Sequence, residues 1–423
     1  MTRAPRHLQT GLSLVELMIA VTLSIVLVFG LMQVFAASRA SYVMAQGMAR
    51  AQEGGRFAVE YLQRDARMVG HMGCVNDQSH LMSSLPSFGQ LFLTDRANFE
   101  SLPARTYTNA LRFDFALRGY EAKGTGPGDT LSLGATPVAG APDGDWTEAL
   151  PSLLRTGAGE PAPVKGSDLL LIRSLSAESA QVSSLTVSAD GSEATILVDG
   201  TGWASMKRNG VQPGLLAIAD CRGATTFHVD SVREPGGGAN VTLSVIAGGG
   251  KSELNRSAFN LRDSIDPTLM QIRVYRADSL AYYVGVSGTE ATPALYRMRF
   301  TAAPGANAIQ RDIEELVPGV ETLQLLYGQD NSAKQTPAGV PSGYIDAQVT
   351  ASNILPNATG REGWQRVGSL KLGMMIRSND PAMAAQRSEA PSVLGVKVGA
   401  PDDQRYRGVY ETNVALRNRL FGN

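Results

Sequence analysis

From Leu12 to Ala37 the chain is apolar on every helical face, broken only by Ser13, Glu16, Thr22, Ser24 and Gln33. No proline falls between Leu12 and Val69, so the pattern predicts one long helix. Its apolar half would span about 39 Å at 1.5 Å per residue, enough to cross a bilayer with some tilt. From Ser38 the helix turns amphipathic. Met44, Met48, Ala51, Gly55, Ala58, Leu62, Ala66 and Val69 recur every three or four residues as one stripe. Arg50, Glu53, Arg56, Glu60, Arg64 and Asp65 lie mostly off it. Gly54 and Gly55 should each weaken the helix by about 1 kcal/mol relative to alanine. They mark either a bend or a place where a sheet packs close.

Beyond Val75 the period falls to two. Strands are expected at Leu111–Leu117, Asp168–Arg173, Val182–Val187, Thr195–Val198, Leu215–Ala219, Thr226–Val229, Val241–Val245, Ile272–Tyr275 and Leu280–Val286. Four more follow Asp266-Pro267: Leu295–Phe300, Val320–Tyr327, Leu370–Ile376 and Val409–Leu416. Glycine-rich clusters at 124–128, 157–163, 235–238 and 248–250 separate them. The fold class expected is therefore α+β, a long N-terminal helix packed on a β-rich, two-sheet globular head. The chain divides into residues 1–11, an apolar helix half at 12–37, an amphipathic half at 38–72, and head parts at 73–268 and 269–423.

Composition removes several function classes. A formal charge of −1 over 423 residues, with no basic stripe, gives nucleic-acid binding no electrostatic support. Lys251-Ser252 follows Gly248–Gly250, but a phosphate-binding loop needs glycine where Val245 stands, so a hairpin turn is the better reading. His71, His80 and His228 form no H-E-x-x-H pair, and no Cys-x-x-Cys accompanies them. No G-x-S-x-G elbow occurs. Asp263, Asp266, Asp330 and Asp346 do not follow EF-hand spacing. No catalytic residue, metal or cofactor is expected, and the chain reads as non-enzymatic.

The N-terminal junction carries the sharpest signal. Residues 10–16 read Thr-Gly-Leu-Ser-Leu-Val-Glu, after a short leader with Arg3, Arg6 and His7. An ionised glutamate inside a bilayer costs roughly 2–4 kcal/mol, so an ordinary anchor has no reason to place one there. A secretory signal would be cut after its apolar region, not before it. The junction resembles the class III leader of type IV pilins and type II secretion pseudopilins. That resemblance implies cleavage by a prepilin peptidase between Gly11 and Leu12, N-methylation of Leu12, and retention of the apolar helix. Arg3 and Arg6 put the N-terminus in the cytoplasm, which leaves the head periplasmic on a single-pass inner-membrane anchor.

A second stretch narrows the resemblance. Gln52-Glu53, Gly55-Arg56-Phe57-Ala58, Leu62, Arg64-Asp65, Arg67-Met68 and Gly70 to Cys74 resemble the PilW family of type IV pilus minor pilins. So do Leu316–Glu321, Leu323–Asp330, Trp364–Ser378 and the ending Tyr410–Arg419. Residues 75–265 carry little that matches. The resemblance implies a minor pilin that primes pilus assembly and sits in a tip complex. Its partners would be other minor pilins, the major pilin, the prepilin peptidase, the inner-membrane assembly platform and a large PilY-type tip adhesin. The alternatives are a J-like pseudopilin of type II secretion and a tip-located adhesin.

Two residue pairs follow. Cys74 and Cys221 are the only cysteines. An oxidising periplasm permits one bridge between them, which would close a loop of about 150 residues and contribute up to roughly 5 kcal/mol. Two separate buried thiols are the other reading. Glu16, inside a bundle of stems, would be tolerable only if paired. The available cation is the α-amino group that cleavage creates at Leu12 of a neighbouring subunit, so the pair would set axial register. Before assembly the carboxylate would instead snorkel to the headgroups.

Overall fold

In the computed structural model Leu14–Ala66 is one unbroken helix of 53 residues, α1. The residues described are 13–76, 113, 116–220, 223–246, 254–255, 271–286, 292–330, 344–345, 347–354, 362–383 and 389–419. Gly54-Gly55 makes no break. The helix ends at Ala66, short of Val69, because Gly70 adopts a left-handed conformation (φ 75°) and turns the chain away. The Asn418 side-chain amide donates to the carbonyls of Arg67 (3.1 Å) and Val69 (3.3 Å), serving acceptors that the helix end leaves open.

The head begins with the hairpin β1 (His71–Met72) and β2 (Val75–Asn76). There follow β3 (Leu117–Tyr120), β4 (Thr130–Ser132), β5 (Ala162–Pro163), β6 (Leu169–Val187) and β7 (Glu193–Val198). A short helix, α2 (Gly200–Met206), leads to β8 (Leu215–Ala219), β9 (Ala224–His228), β10 (Ser231–Arg233) and β11 (Val241–Ile246). Next come β12 (Arg273–Val286), β13 (Ala294–Thr301), β14 (Gln310–Pro318), β15 (Val320–Gln329) and β16 (Ala347–Val349). The chain closes with β17 (Val367–Arg377), β18 (Ser392–Val393), β19 (Val396–Gly399) and β20 (Arg407–Ala415).

These strands make an α+β molecule with several sheets rather than two. The largest runs β10-β11-β7-β6-β12-β13-β14, with β3, β5, β8 and β9 paired beside it. A second sheet runs β16-β15-β17-β20, and the smaller groups are β18-β19-β4 and β1-β2. The two longest strands, β6 and β12, pair from Tyr282↔Leu170 to Arg273↔Gln181. Head parts 73–268 and 269–423 therefore share the large sheet.

Packing divides the head into several hydrophobic cores, the two largest at opposite ends of β6 and β12. One lies between α1, the large sheet and the four-stranded sheet, with Leu62, Leu170, Tyr282, Leu323 and Leu372 at its centre. The other gathers Ile196, Trp203, Met206, Phe227, Leu243 and Val274 at the far ends of β6 and β12. Helix α2 anchors this distal core through Trp203 and Met206. Asp199 caps it by accepting the Gly202 N–H at 2.6 Å.

Candidate functional site

Leu14 to Phe35 stand uncovered. Leu14 is 73% exposed and Phe35 72%, and by length and composition this half of α1 can cross a membrane. Its polar side chains are mostly absorbed by the helix itself. Thr22 donates its hydroxyl to the carbonyls of Met18 (3.0 Å) and Ile19 (2.9 Å), and Ser24 donates to Ala20 (2.7 Å). Glu16 remains as the one charged residue between Leu14 and Ala37. It occupies the third helical position, where its carboxylate accepts the Ser13 backbone N–H at 3.0 Å. Half of a capping box is thus a role for Glu16 inside the chain, one that sequence reasoning missed. Gly11 and Leu12 lie outside the described residues.

Farther along, α1 packs on β14, β17 and β20 through Ala51, Gly55, Ala58, Leu62 and Ala66. Met44 and Met48 point outward instead, 37% and 40% exposed. Val43 and Gly47 take their place, because the head meets the helix there by close approach. A Cβ on Gly47 would lie 2.6 Å from that of Ala382. At Gly55 the approach is closer still: a Cβ would enter the ring of Tyr410 on β20. Gly55→Ala gains about 1 kcal/mol of helix propensity but overpacks this contact, typically by 1–3 kcal/mol, so the expected net effect is a less stable head. Urea unfolding of the full chain checks it; a midpoint equal to or above wild type would mean Tyr410 swings out freely.

Polar contacts close the joint. Gln63 donates to the Thr412 hydroxyl at 2.6 Å. Asp65 accepts from the Tyr282 hydroxyl and from Arg297 at 3.3 Å, and Arg297 also pairs with Glu314 at 2.7 Å. Burial first, and the Asp65 carboxylate second, keep the Tyr282 phenol protonated well above its usual range. The stem stretch 52–74 and the ending 410–419 are thus two sides of one joint, with Gly55 against Tyr410, Gln63 against Thr412, and Asn418 at the helix end. Beside it lies a buried ion network. Glu321 takes both Nε (2.8 Å) and Nη2 (3.0 Å) of Arg407 and the Arg377 guanidinium at 3.4 Å. Arg407 also grips Asp403 at 2.7 Å. The turn before Glu321 needs Gly319 (φ 85°), where a Cβ would lie 2.5 Å from the Arg377 carbonyl.

Other residues singled out from the sequence are scattered. Cys74 sits in the turn of the β1–β2 hairpin; Cys221 lies outside the described residues. His71 hydrogen-bonds the Leu175 carbonyl at 3.0 Å and stacks edge-on against Tyr275. His228 is fully buried on the Ala303 carbonyl at 2.8 Å, and burial depresses its pKa. Asp330 is buried at the end of β15, while His80, Lys251, Ser252, Asp263, Asp266 and Asp346 lie outside the described residues. Among the described residues no group of three or more His, Cys, Asp or Glu is placed to hold a metal.

Comparison with known families gives one finding. Residues 281–418 match the PilW family model, described as type IV pilus-assembly protein W. The match runs from the middle of β12 through β20, so it takes in the head's half of the joint and leaves the distal core outside. Neither curated proteins nor solved structures give a match.

Proposed function

We propose, from the premise that its C-terminal third places this chain in the PilW family of pilus-assembly proteins, that it is a minor pilin with a type IV pilin-like fold. It primes pilus assembly together with other minor pilins and stays in a tip complex. The observation that carries this reading is the pairing of an uncovered apolar stem with a head of PilW type, locked to that stem by motif residues from both ends of the chain. An uncovered apolar helix half this long must be buried by lipid or by other helices. A filament that grows out of a membrane supplies both in turn. In this reading the prepilin peptidase cuts at Gly11, Leu12 is methylated, and Glu16 pairs with the new amino group of a neighbour. The inner-membrane platform, the major pilin and a PilY-type tip adhesin are its other partners. A J-like pseudopilin is the second reading, kept because it shares the leader and stem.

A bridge between Cys74 and Cys221 belongs to the same proposal. Among the described residues no cysteine is a free thiol. Met72, two residues before Cys74, packs in one cluster with Ala219 and Ala224, which stand two and three residues from Cys221 in the sequence. One experiment tests processing, incorporation and the bridge together: non-reducing peptide mapping by mass spectrometry of the protein recovered from sheared pili. The expected result is an N-methylated chain starting at Leu12 and a linked Cys74–Cys221 peptide pair. An intact Met1 on the assembled protein would overturn the processing step. Absence from pili, with presence in a secretion complex, would favour the J-like reading.

A further inference from the structure

Two carboxyl groups face each other at the seam between the principal sheets, and the joint does not use them. β3 pairs with β6 in a register that ends at Tyr120↔Leu169. One step further in that antiparallel register sets Glu121 opposite Asp168. Both are buried, with 6% and 2% of their surface exposed. Directly opposed like charges on neighbouring strands are unfavourable even in solvent, and burial strengthens the effect.

Each carboxyl is held by backbone donors from another part of the head. Asp168 accepts the Ala122 N–H at 2.8 Å and the Leu325 N–H of β15 at 2.9 Å, so it ties the large sheet to the four-stranded one. Glu121 accepts the Ala351 N–H at 3.1 Å, in the turn after β16. Among the described residues no cation acts on either carboxyl. The other charge acting on Glu121 is the exposed Asp129, also negative, and Lys123 next along the chain is exposed. Arg118 and Arg173 act on Tyr120 instead, and Arg118 is tied to Glu148. On the β15 side stands Tyr327, fully buried against Gly119, its hydroxyl without a hydrogen-bond partner among the described residues.

We propose that Glu121 and Asp168 form a proton-sharing clasp across this seam, closed while one carboxyl is protonated and loosened when both are ionised. A shared proton leaves one negative charge for the backbone donors to solvate. Losing it puts two charges face to face with no counter-ion.

The direction of the pH dependence follows from the burial. Burial, only partly offset by the Ala351 and Thr350 hydrogen bonds, pushes the Glu121 pKa up to about 7. Burial, and then Glu121 itself, raises that of Asp168 well above the carboxylate range. The folded state therefore keeps a proton that the unfolded chain releases above about pH 4.5, so stability falls as pH rises toward and through 7.

The test is hydrogen exchange on the full-length protein in detergent, comparing wild type with Glu121→Gln at pH 5.5 and pH 8. After correction for intrinsic exchange, wild-type amides in 320–329 and 347–354 should lose protection by roughly tenfold or more per unit of pKa displacement. Those of the distal strands 193–198 and 241–246 should not change. In Glu121→Gln the loss should shrink sharply, because the amide stays neutral at both values and only the burial of Asp168 still resists ionisation; a loss as large as in wild type would overturn the clasp. Equal protection at both pH values in wild type sinks the proposal whether or not the variant folds. So does a wild-type loss at pH 8 that calcium reverses, since a bound cation would then replace the proton.

Discussion

Glu16→Ala should abolish, or nearly abolish, incorporation into pili while leaving membrane abundance and cleavage at Gly11 unchanged. The substitution removes the single charge of the exposed apolar segment, so insertion into lipid is expected to be equal or better. It also removes the acceptor for the Ser13 N–H, but at a helix start that donor can turn to solvent or to the headgroups. In the proposed register role, what has no substitute is the partner for a neighbour's ammonium inside a dry bundle. Glu16→Gln separates the two roles, because the amide oxygen still accepts the Ser13 N–H and the charge is gone. Piliation is expected to be intermediate for Gln and lowest for Ala, measured against the membrane level of each. Equal piliation in all three would make Glu16 a helix cap and nothing more.

The largest stability effect is expected at Glu321. Glu321→Ala removes the carboxylate that the nearly fully buried Arg407 and Arg377 share. Removing one partner of a buried ion network typically costs about 3–5 kcal/mol, most of it from the charge left behind. Asp403 would still hold Arg407, which places the expectation at the lower end of that range. The damage should spread to the loop that rests on the stem, since Ser378 and Ala382 are hydrogen-bonded to Tyr406 and Gln404, just before Arg407. Limited proteolysis should open first around residues 378–383. Asp380→Ala is the control. Its pair with Arg50 at 3.4 Å is solvent-exposed, and such pairs contribute little. A matching loss of stability in both variants would show that the network is not what holds the loop.

The helix was legible because a proline-free apolar run and a three-to-four-residue stripe leave few alternatives. Strands were legible where one face is buried and one wet, as at Val241–Ile246. Three features were hidden, each for a physical reason. Leu169–Val187 reads as two strands because exposed Ala177 and Glu178 mark where it leaves one core for the other. Gln310–Pro318 shows little alternation, since it is an outer strand of the large sheet and exposed along much of its length. Gly200–Met206 carries turn-forming glycines, yet Asp199 and the buried Trp203 make it helical. At the site, Gly54-Gly55 was visible as either a bend or a place of close packing, and at Gly55 the structure shows the second. Tyr410 was not, because periodicity ranks residues by hydrophobicity and cannot tell which ring fills the space above a glycine. Opposed carboxylates such as Glu121 and Asp168 need a strand register, and that exists only once β3 and β6 are paired.

Between Ala37 and Gly47, α1 forms a neck of roughly 15 Å, mostly exposed and partly covered only at Ala40 and Val43 before Gly47. Because the helix is continuous, the neck is a phase coupler as well as a spacer. Each residue added there would raise the head by about 1.5 Å and swing it by about 100° around the axis. The compass bearing of the head, relative to the face that carries Glu16, is therefore written in the residue count of the neck. One extra residue would turn the distal core to a different side of any assembly, whereas seven would return it to within about 20° of where it began, some 10 Å higher.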